Sequence, residues 1–394
     1  MNFRLGINYW PISSAMRMWH RFDHTEIERD FTLIRSAGFD SVRIFLLWED
    51  FQPTADSVST EAIAKLVQVA DIAGRNRLQL MPTLFTGHMS GSNWIPPWAL
   101  ENKEDPASRF RVVSNDCISQ CLLKNWYTDT QILNAQILLA REVAAALVNH
   151  SALWAYDLGN ENSNCVVPLT KESARNWLRQ ITDAIRSVDD AHPITIGLHM
   201  EDLEEDRKLG PEEAAEVCDF LCMHGYPLYA DWADGPTDAL LPPFLGSITR
   251  WLGGKDVLFQ EYGAPAVPGE NLREFSGSAF RLLDENTAAD YAAKTTSYLY
   301  KLGFMGGMLW CFGDYSKSIW GEPPLDRSIH ERFFGLWHND HSPKPALAQL
   351  KTLSGMQRNR FTDDFAWIDI EKREFYLSPN DNLKRLYRNF QNKF

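Results

Sequence analysis

Leu153-Trp154-Ala155-Tyr156-Asp157-Leu158 is a short apolar run, and Gly159-Asn160-Glu161-Asn162 turns the chain away from it. An amphipathic stretch follows, from Thr170 to Val188. A short run bounded by glycine reads as a buried strand, and the longer periodic stretch reads as a helix. Strand, turn and helix in that order form one βα unit. Units of this kind in series call for a parallel sheet with helices outside it.

The same unit recurs on both sides. Upstream, strands are predicted at Phe3 to Tyr9, Ser41 to Leu46 and Leu78 to Leu84. The helices between them run from His24 to Ala37, closed by Gly38, and from Thr60 to Gly74. Downstream, strands are predicted at Ile194 to Leu198, Asp219 to Met223, Asp256 to Gln260 and Met305 to Trp310. Helices are predicted from Asp129 to Asn149, from Glu285 to Leu302 and from about Pro343 to Leu353. Eight strands and about eight helices in order predict an α/β fold, a (β/α)₈ TIM barrel with long active-site loops and a short C-terminal extension. No Pro/Gly/Ser-rich linker divides residues 1–353, which we read as one catalytic barrel. Residues 354–394, with an alternating piece from Phe365 to Tyr376 and a basic helical tail, read as an extension packed on that barrel. The longest interruption, from Phe85 to about Thr128, reads as a functional loop.

Composition narrows the partners. The formal net charge of −13 disfavours nucleic acid, whose phosphates need clustered Lys and Arg. No stretch is long and apolar enough to span a membrane, and no signal peptide is visible, so a cytoplasmic location is expected. Cys117/Cys121 and Cys218/Cys222 are each spaced by four, with no Cys-x-x-Cys, and the cysteines read as free thiols. No metal or other cofactor is expected, since a metal-dependent barrel would want clustered His and Asp at its strand ends. Several of the 14 Trp stand beside Gly, Pro or charged residues, and each reads either as core or as a platform for a sugar face.

A (β/α)₈ barrel carries its chemistry at the C-terminal ends of its strands. The polar and aromatic residues there are Asn8, Arg43, Trp48, His88, Asn160, Glu161, His224, Tyr226, Glu261 and Trp310. Glu161 and Glu261 stand on predicted strands four and seven, on opposite sides of the mouth. Two carboxyl groups flanking an acetal oxygen are what glycoside hydrolysis requires: one protonates the leaving oxygen and the other attacks C1 or holds a water that does. A lone Glu at a strand end would more often be a salt-bridge partner. The pair favours catalysis, with the charge of Glu261 expected to raise the pKa of Glu161 and keep it protonated.

Leu158-Gly159-Asn160-Glu161 and Phe259-Gln260-Glu261-Tyr262-Gly263 resemble the signatures of clan A glycoside hydrolases, and family 5 most of all. The resemblance takes in Val42-Arg43-Ile44, Trp48, His224-Gly225-Tyr226-Pro227 and Trp310, over about residues 3–350. It implies a retaining enzyme with Glu161 as acid/base and Glu261 as nucleophile. Arg43 and Tyr226 would hold the nucleophile and Asn160 the 2-hydroxyl. His224 and His88 would contact the sugar or orient the carboxylates, and Trp310 would floor the −1 subsite.

The long third loop and an eighth loop from Phe312 to Asp340 both carry Trp, and loops that rise over a barrel mouth turn a cleft into a pocket. Trp320 and Glu322 are the expected barrier. The reading that follows is an intracellular exo-β-glycosidase on an oligosaccharide, foremost a β-mannosidase for β-1,4-linked manno-oligosaccharides or mannosyl-GlcNAc. An endo-acting β-1,4-mannanase or β-glucanase, and a catalytically silent carbohydrate-binding barrel, are the alternatives. The choice among mannose, glucose and galactose stays open, as does the oligomeric state, a homo-oligomer included.

Overall fold

The computed structural model of the protein describes residues 2–362 and 364–394. Eight parallel strands close into a barrel: β1 (Arg4–Asn8), β2 (Ser41–Leu47), β3 (Gln79–Thr86), β4 (Tyr156–Asn160), β5 (Ile194–His199), β6 (Leu221–His224), β7 (Val257–Tyr262) and β8 (Gly306–Leu309). Closure is made by β1 against β8, in register from Arg4 with Gly306 to Ile7 with Leu309. The (β/α)₈ expectation therefore holds, with each predicted strand found within a few residues.

The outer helices begin where their sequence supplies an acceptor for the free N–H groups of the first turn. Asp23 caps α1 (His24–Ser36), Ser59 caps α2 (Thr60–Arg75) and Asp129 caps α3 (Thr130–Leu147). Thr170 caps α4 (Lys171–Arg186). The helix after β5 shrinks to α5 (Pro211–Ala215). After β6 comes α6 (Leu241–Gly253), with Pro242 and Pro243 in its first turn, where their missing N–H groups cost nothing. Asp284 caps α7 (Glu285–Leu302), and α8 (Ala346–Leu350) packs against it to complete the ring.

Inside the barrel the strands alternate, as a period of two requires. Met81, Ala155, Cys222, Leu258 and Met308 form an apolar plug. Thr83, Asp157, His224 and Gln260, two residues further along β3, β4, β6 and β7, form a buried polar layer above it. At the mouth, strict alternation would turn one of Asn160 and Glu161 outward, and likewise one of Gln260 and Glu261. Register irregularities between Asp157 and Asn160 and between Phe259 and Tyr262 break it there. Such irregularities re-aim side chains, and both neighbours face the interior.

One sequence expectation needs correction. Residues 85–128 are not a plain loop. Short strands at His88–Met89, Ser92–Trp94, Arg111–Ser114 and Cys117–Ser119 form one small sheet, and Leu100–Glu104 pairs with Cys121–Leu123 in another. Their segments are too short for a periodic signal in sequence. The alternating piece from 365 to 376 forms turns and a short helix, Lys372–Phe375. The tail is helical, α9 (Pro379–Gln391), and its Leu383, Leu386, Tyr387 and Phe390 are buried. Tyr387 and Phe390 pack on Phe244 of α6, so the extension lies against the barrel wall. No helix among the described residues is long and apolar enough to cross a membrane, and all six cysteines are free.

Candidate active site

A cavity of about 300 Å³ opens at the C-terminal ends of the strands, within the size range of small-ligand sites. Glu161, Glu261, Asn160, His88, His224, Tyr226 and Trp310 all line it, as the sequence predicted. Glu161 and Glu261 each present a carboxylate oxygen to the ring of His224, and the three ligand atoms lie within 4.8 Å of one another. Carboxyl groups this close match the roughly 5–5.5 Å spacing of a retaining pair, which is too near for a water to act between them and C1.

Glu161 lies just past β4 in the left-handed region, at φ 49°, a conformation costly for a side chain larger than glycine. The turn points its carboxylate across the barrel: Oε1 lies 3.0 Å from His224 Nδ1, and Oε2 accepts from Asn164 Nδ2 at 3.0 Å. A Cβ on Gly159 would collide with Asn162, which explains the glycine before the motif. Gly263 is fixed in the same way, because a Cβ there would strike the Trp310 carbonyl.

Glu261 is held from two sides. Arg43 Nη1 donates to Oε1 at 2.5 Å, and the Tyr226 hydroxyl donates to Oε2 at 2.8 Å. Arg43 is fully buried and does not line the cavity, so it positions the carboxylate from behind and is not itself a substrate-binding residue. Its guanidinium also donates to Asp157 Oδ2, Thr83 Oγ1, Asn8 Oδ1 and Asn160 Oδ1, at 2.8 to 3.2 Å. Its planar fork is what allows contacts to several strands at once. Arg43→Leu should therefore lower stability by about 3–5 kcal/mol, the cost of leaving buried carboxylates without their cation. Urea melts of the two proteins measure it, and an unchanged midpoint would mean that the buried network is neutral.

The proton inventory differs from expectation. Gln260 Nε2 donates to Asp157 Oδ2 at 3.1 Å, which turns Gln260 Oε1 toward His224 Nε2 at 2.8 Å. His224 must then carry a proton on Nε2, and its Nδ1 shares a second proton with Glu161. Burial opposes charge on His224, but the carboxylates of Glu261 and Glu161 outweigh it and raise its pKa. Burial likewise pushes Glu161 up, but His199, His224 and His88 pull it the other way and leave its pKa below the ordinary value. The charge of Glu261 thus does not keep Glu161 protonated: the shared proton rests toward His224, one hydrogen bond from the Glu161 oxygen that needs it. His88 is lowered by burial and is neutral at neutral pH. Its Nδ1 meets Asn93 Oδ1 at 2.8 Å. The Asn160 amide accepts from Arg43 and donates to the His88 carbonyl, which leaves one N–H for a ligand.

Three expected contacts fail. Trp48 is core: it is 1% exposed, donates to Gln52 Oε1 at 2.9 Å and packs edge-on against Phe85, Trp98 and Trp126. Trp320 packs against Phe275 and Phe333 under the Arg332 guanidinium and lines a separate depression. Glu322 pairs with Arg21 at 2.9 Å away from the cavity. The eighth loop reaches the cavity further along, through Ser328, His330 and Glu331. The third loop meets it there. The Ser90 hydroxyl donates to Glu331 Oε2 at 2.9 Å and Ser328 Oγ to the Ser90 carbonyl at 3.4 Å, so one end of the site is walled.

Other lining residues escaped the sequence reading. His199 ends β5, with Nδ1 3.9 Å from Glu161 Oε2. It obeys the strand-end rule and was lost only because the predicted strand stopped one residue early. Arg109, Phe110 and Phe280 stand on loops, and Glu201 and Tyr229 on one-turn helices, Glu201–Glu204 and Pro227–Tyr229, too short for a period to mark them.

Residues 7–296 match the family described as Cellulase (glycosyl hydrolase family 5). No curated protein matches the sequence. Among solved structures, the exo-β-1,4-mannosidase Op5Man5 from Opitutaceae bacterium strain TAV5 is similar at 25% identity and a TM-score of 0.73; the alignment covers 89% of this chain but only 59% of that one. A variant of the GH5_18 protein from Streptomyces cattleya, in complex with Manβ1-4GlcNAc, is similar at 22% identity and a TM-score of 0.72, covering 89% of this chain and 80% of that one. A variant of GH5_18 from Bifidobacterium longum subsp. longum, bound to the same disaccharide, is similar at 19% identity and a TM-score of 0.74, covering 91% and 80%. The last two likenesses show the fold alone.

Proposed function

The chain belongs to glycosyl hydrolase family 5, and on that premise we propose that it is an exo-β-mannosidase that removes mannose from the non-reducing end of β-1,4-linked manno-oligosaccharides or of mannosyl-GlcNAc. The membership makes it a retaining glycoside hydrolase; the rest is our reading. The observation that supports exo-action is the contact of Ser90 with Ser328 and Glu331, which closes one end of the cavity. The mannosidase name of one similar structure, and the Manβ1-4GlcNAc held by two others, support the choice of sugar.

In this reading the terminal sugar lies over Trp310 with its 2-hydroxyl at the free N–H of Asn160. Glu261, oriented by Arg43 and Tyr226, attacks C1. The C1–oxygen bond breaks as Glu161, supplied from the proton it shares with His224, protonates the leaving oxygen. The product is a glycosyl ester on Glu261 and a free aglycone. The ester removes the negative charge that helped to hold the proton on His224. Glu161 then takes a proton from water, whose oxygen displaces Glu261 from C1 with a second inversion and net retention.

Digestion of β-1,4-manno-hexaose should release mannose from the first turnover, with the pentaose as the only early partner. Time-resolved chromatography decides: an early mixture of di-, tri- and tetrasaccharides would establish endo-action. A parallel panel of aryl β-glycosides differing at C2 and C4 tests the sugar, and faster turnover of the gluco- than of the manno-configured substrate would overturn mannose.

A further inference from the structure

Glu331 belongs to no motif and takes no part in the chemistry above, yet it is 6% exposed on the cavity wall. Three donors hold its carboxylate: Ser90 Oγ at 2.9 Å and Trp310 Nε1 at 3.3 Å to Oε2, and the Tyr229 hydroxyl at 3.2 Å to Oε1. Tyr229 is itself fixed by His330 Nε2 at 3.0 Å. Burial pushes the His330 pKa down to about 4, so the ring is neutral at neutral pH. With Nε2 protonated, it donates to the Tyr229 oxygen, and the Tyr229 hydroxyl donates in turn to Glu331. Its Nδ1 is buried with no partner, as that tautomer leaves it. A carboxylate offers about four acceptor positions, so three donors leave one free on a side chain that lines the cavity. Burial still pushes the Glu331 pKa up to about 7, so the three donors do not fully replace the water the carboxylate has lost.

We propose that Glu331 is a specificity-determining residue that accepts a hydrogen bond from the C4 hydroxyl of the terminal sugar and so reads the chain end. This rests on the exo-glycosidase reading. In a pyranose held with C1 at Glu261, C4 lies across the ring from the scissile bond. Glu331 stands where the third and eighth loops meet, at the Nε1 edge of the Trp310 indole on which the ring would rest. A terminal sugar has a C4 hydroxyl with a proton to give. An internal sugar of a β-1,4-linked chain has an ether oxygen there, which has none and would set a lone pair against a buried carboxylate. Sites built to bond a hydroxyl discriminate strongly against an analogue that lacks it, because a buried polar group is left unpaired.

The experiment compares aryl β-mannoside with its 4-deoxy analogue for the wild type and for Glu331→Gln. The wild type should prefer the parent by about 100-fold or more in kcat/KM, and Glu331→Gln should reduce that preference to within about tenfold. A preference that is the same in both proteins overturns the proposal. A merely structural role would slow both substrates together and leave the ratio unchanged. Thermal melting reports whether Glu331→Gln folds; should it not, Glu331→Asp keeps the charge but draws the carboxylate back by one methylene, and its ratio must fall for the proposal to stand. If the wild type cleaves aryl β-glucoside but not β-mannoside, the mannose reading has failed on its own, and the same ratio measured with aryl β-glucoside and its 4-deoxy analogue tests Glu331.

Discussion

Glu261→Ala should abolish hydrolysis, lowering kcat by about 10⁵-fold or more, the order of loss when a covalent nucleophile is removed. The expectation comes from what surrounds the side chain. Arg43 and Tyr226 both donate to this carboxylate, so its orientation is fixed from two sides. No other carboxylate takes its place: Asp157, its nearest analogue in the network, is fully buried in contacts with Arg43, Thr83 and Gln260. The variant leaves a space beside Arg43, where azide can sit as a substitute. Attack by azide from that side on an activated aryl β-glycoside should yield the α-glycosyl azide, with Glu161 still able to assist departure. A 2-deoxy-2-fluoro aryl glycoside should label Glu261 in the wild type, since fluorine slows release of the ester more than an activated leaving group slows its formation. Peptide mapping that finds the label on Glu331, Asp157 or Glu161 would overturn the assignment.

The eight strands were legible because a parallel barrel buries both faces of every strand, and that yields apolar runs separated by capped amphipathic helices. Glu161 and Glu261 were legible because the barrel fixes where strand ends go. Trp48 fails for the opposite reason: it follows β2 and meets the strand-end rule, but the small sheet of residues 88–119 and its neighbouring loop cover it with Trp98 and Trp126. That sheet is built from strands of two to four residues. Nothing of that length carries a readable period, so its effect on the mouth could not be foreseen. The eighth loop shows the same limit. The sequence located a barrier there, and Trp320 was the conspicuous residue, but an exposed-looking aromatic found apolar partners in Phe275 and Phe333. The wall fell to Glu331, whose importance comes only from the donors that three separate segments bring to it. The proton inventory was illegible too. It depends on Asp157 orienting the Gln260 amide, a contact between residues 103 apart in sequence.

Glu161→Ala should separate the two halves of the reaction. On oligosaccharides the loss should be about 10²–10⁴-fold, the usual contribution of a positioned general acid and base. A sugar leaving group cannot depart from this site without a proton, and in the variant His224 has lost the carboxylate through which it would deliver one. On a dinitrophenyl β-glycoside the leaving group needs no proton, so formation of the ester on Glu261 should survive and its hydrolysis should become slow. The glycosyl-enzyme then accumulates, and a burst of dinitrophenolate equal to the enzyme concentration precedes a slow steady state. Azide should quicken that steady state by entering the space vacated beside His224 and Asn164, and here the product should be the β-glycosyl azide, opposite in configuration to that from Glu261→Ala. The pH profile gives an independent reading. In the wild type kcat/KM needs the one proton held between His224 and Glu161. The raised pKa of His224 keeps that proton in place below the apparent pKa of the pair, and activity is lost as pH rises through it. With Glu161→Ala and the dinitrophenyl substrate that alkaline limb should vanish, because the step being measured no longer uses the proton. A limb that persists unchanged, or an azide product of α configuration, would show that Glu161 is not the acid/base and that the proton reaches the leaving oxygen by another route.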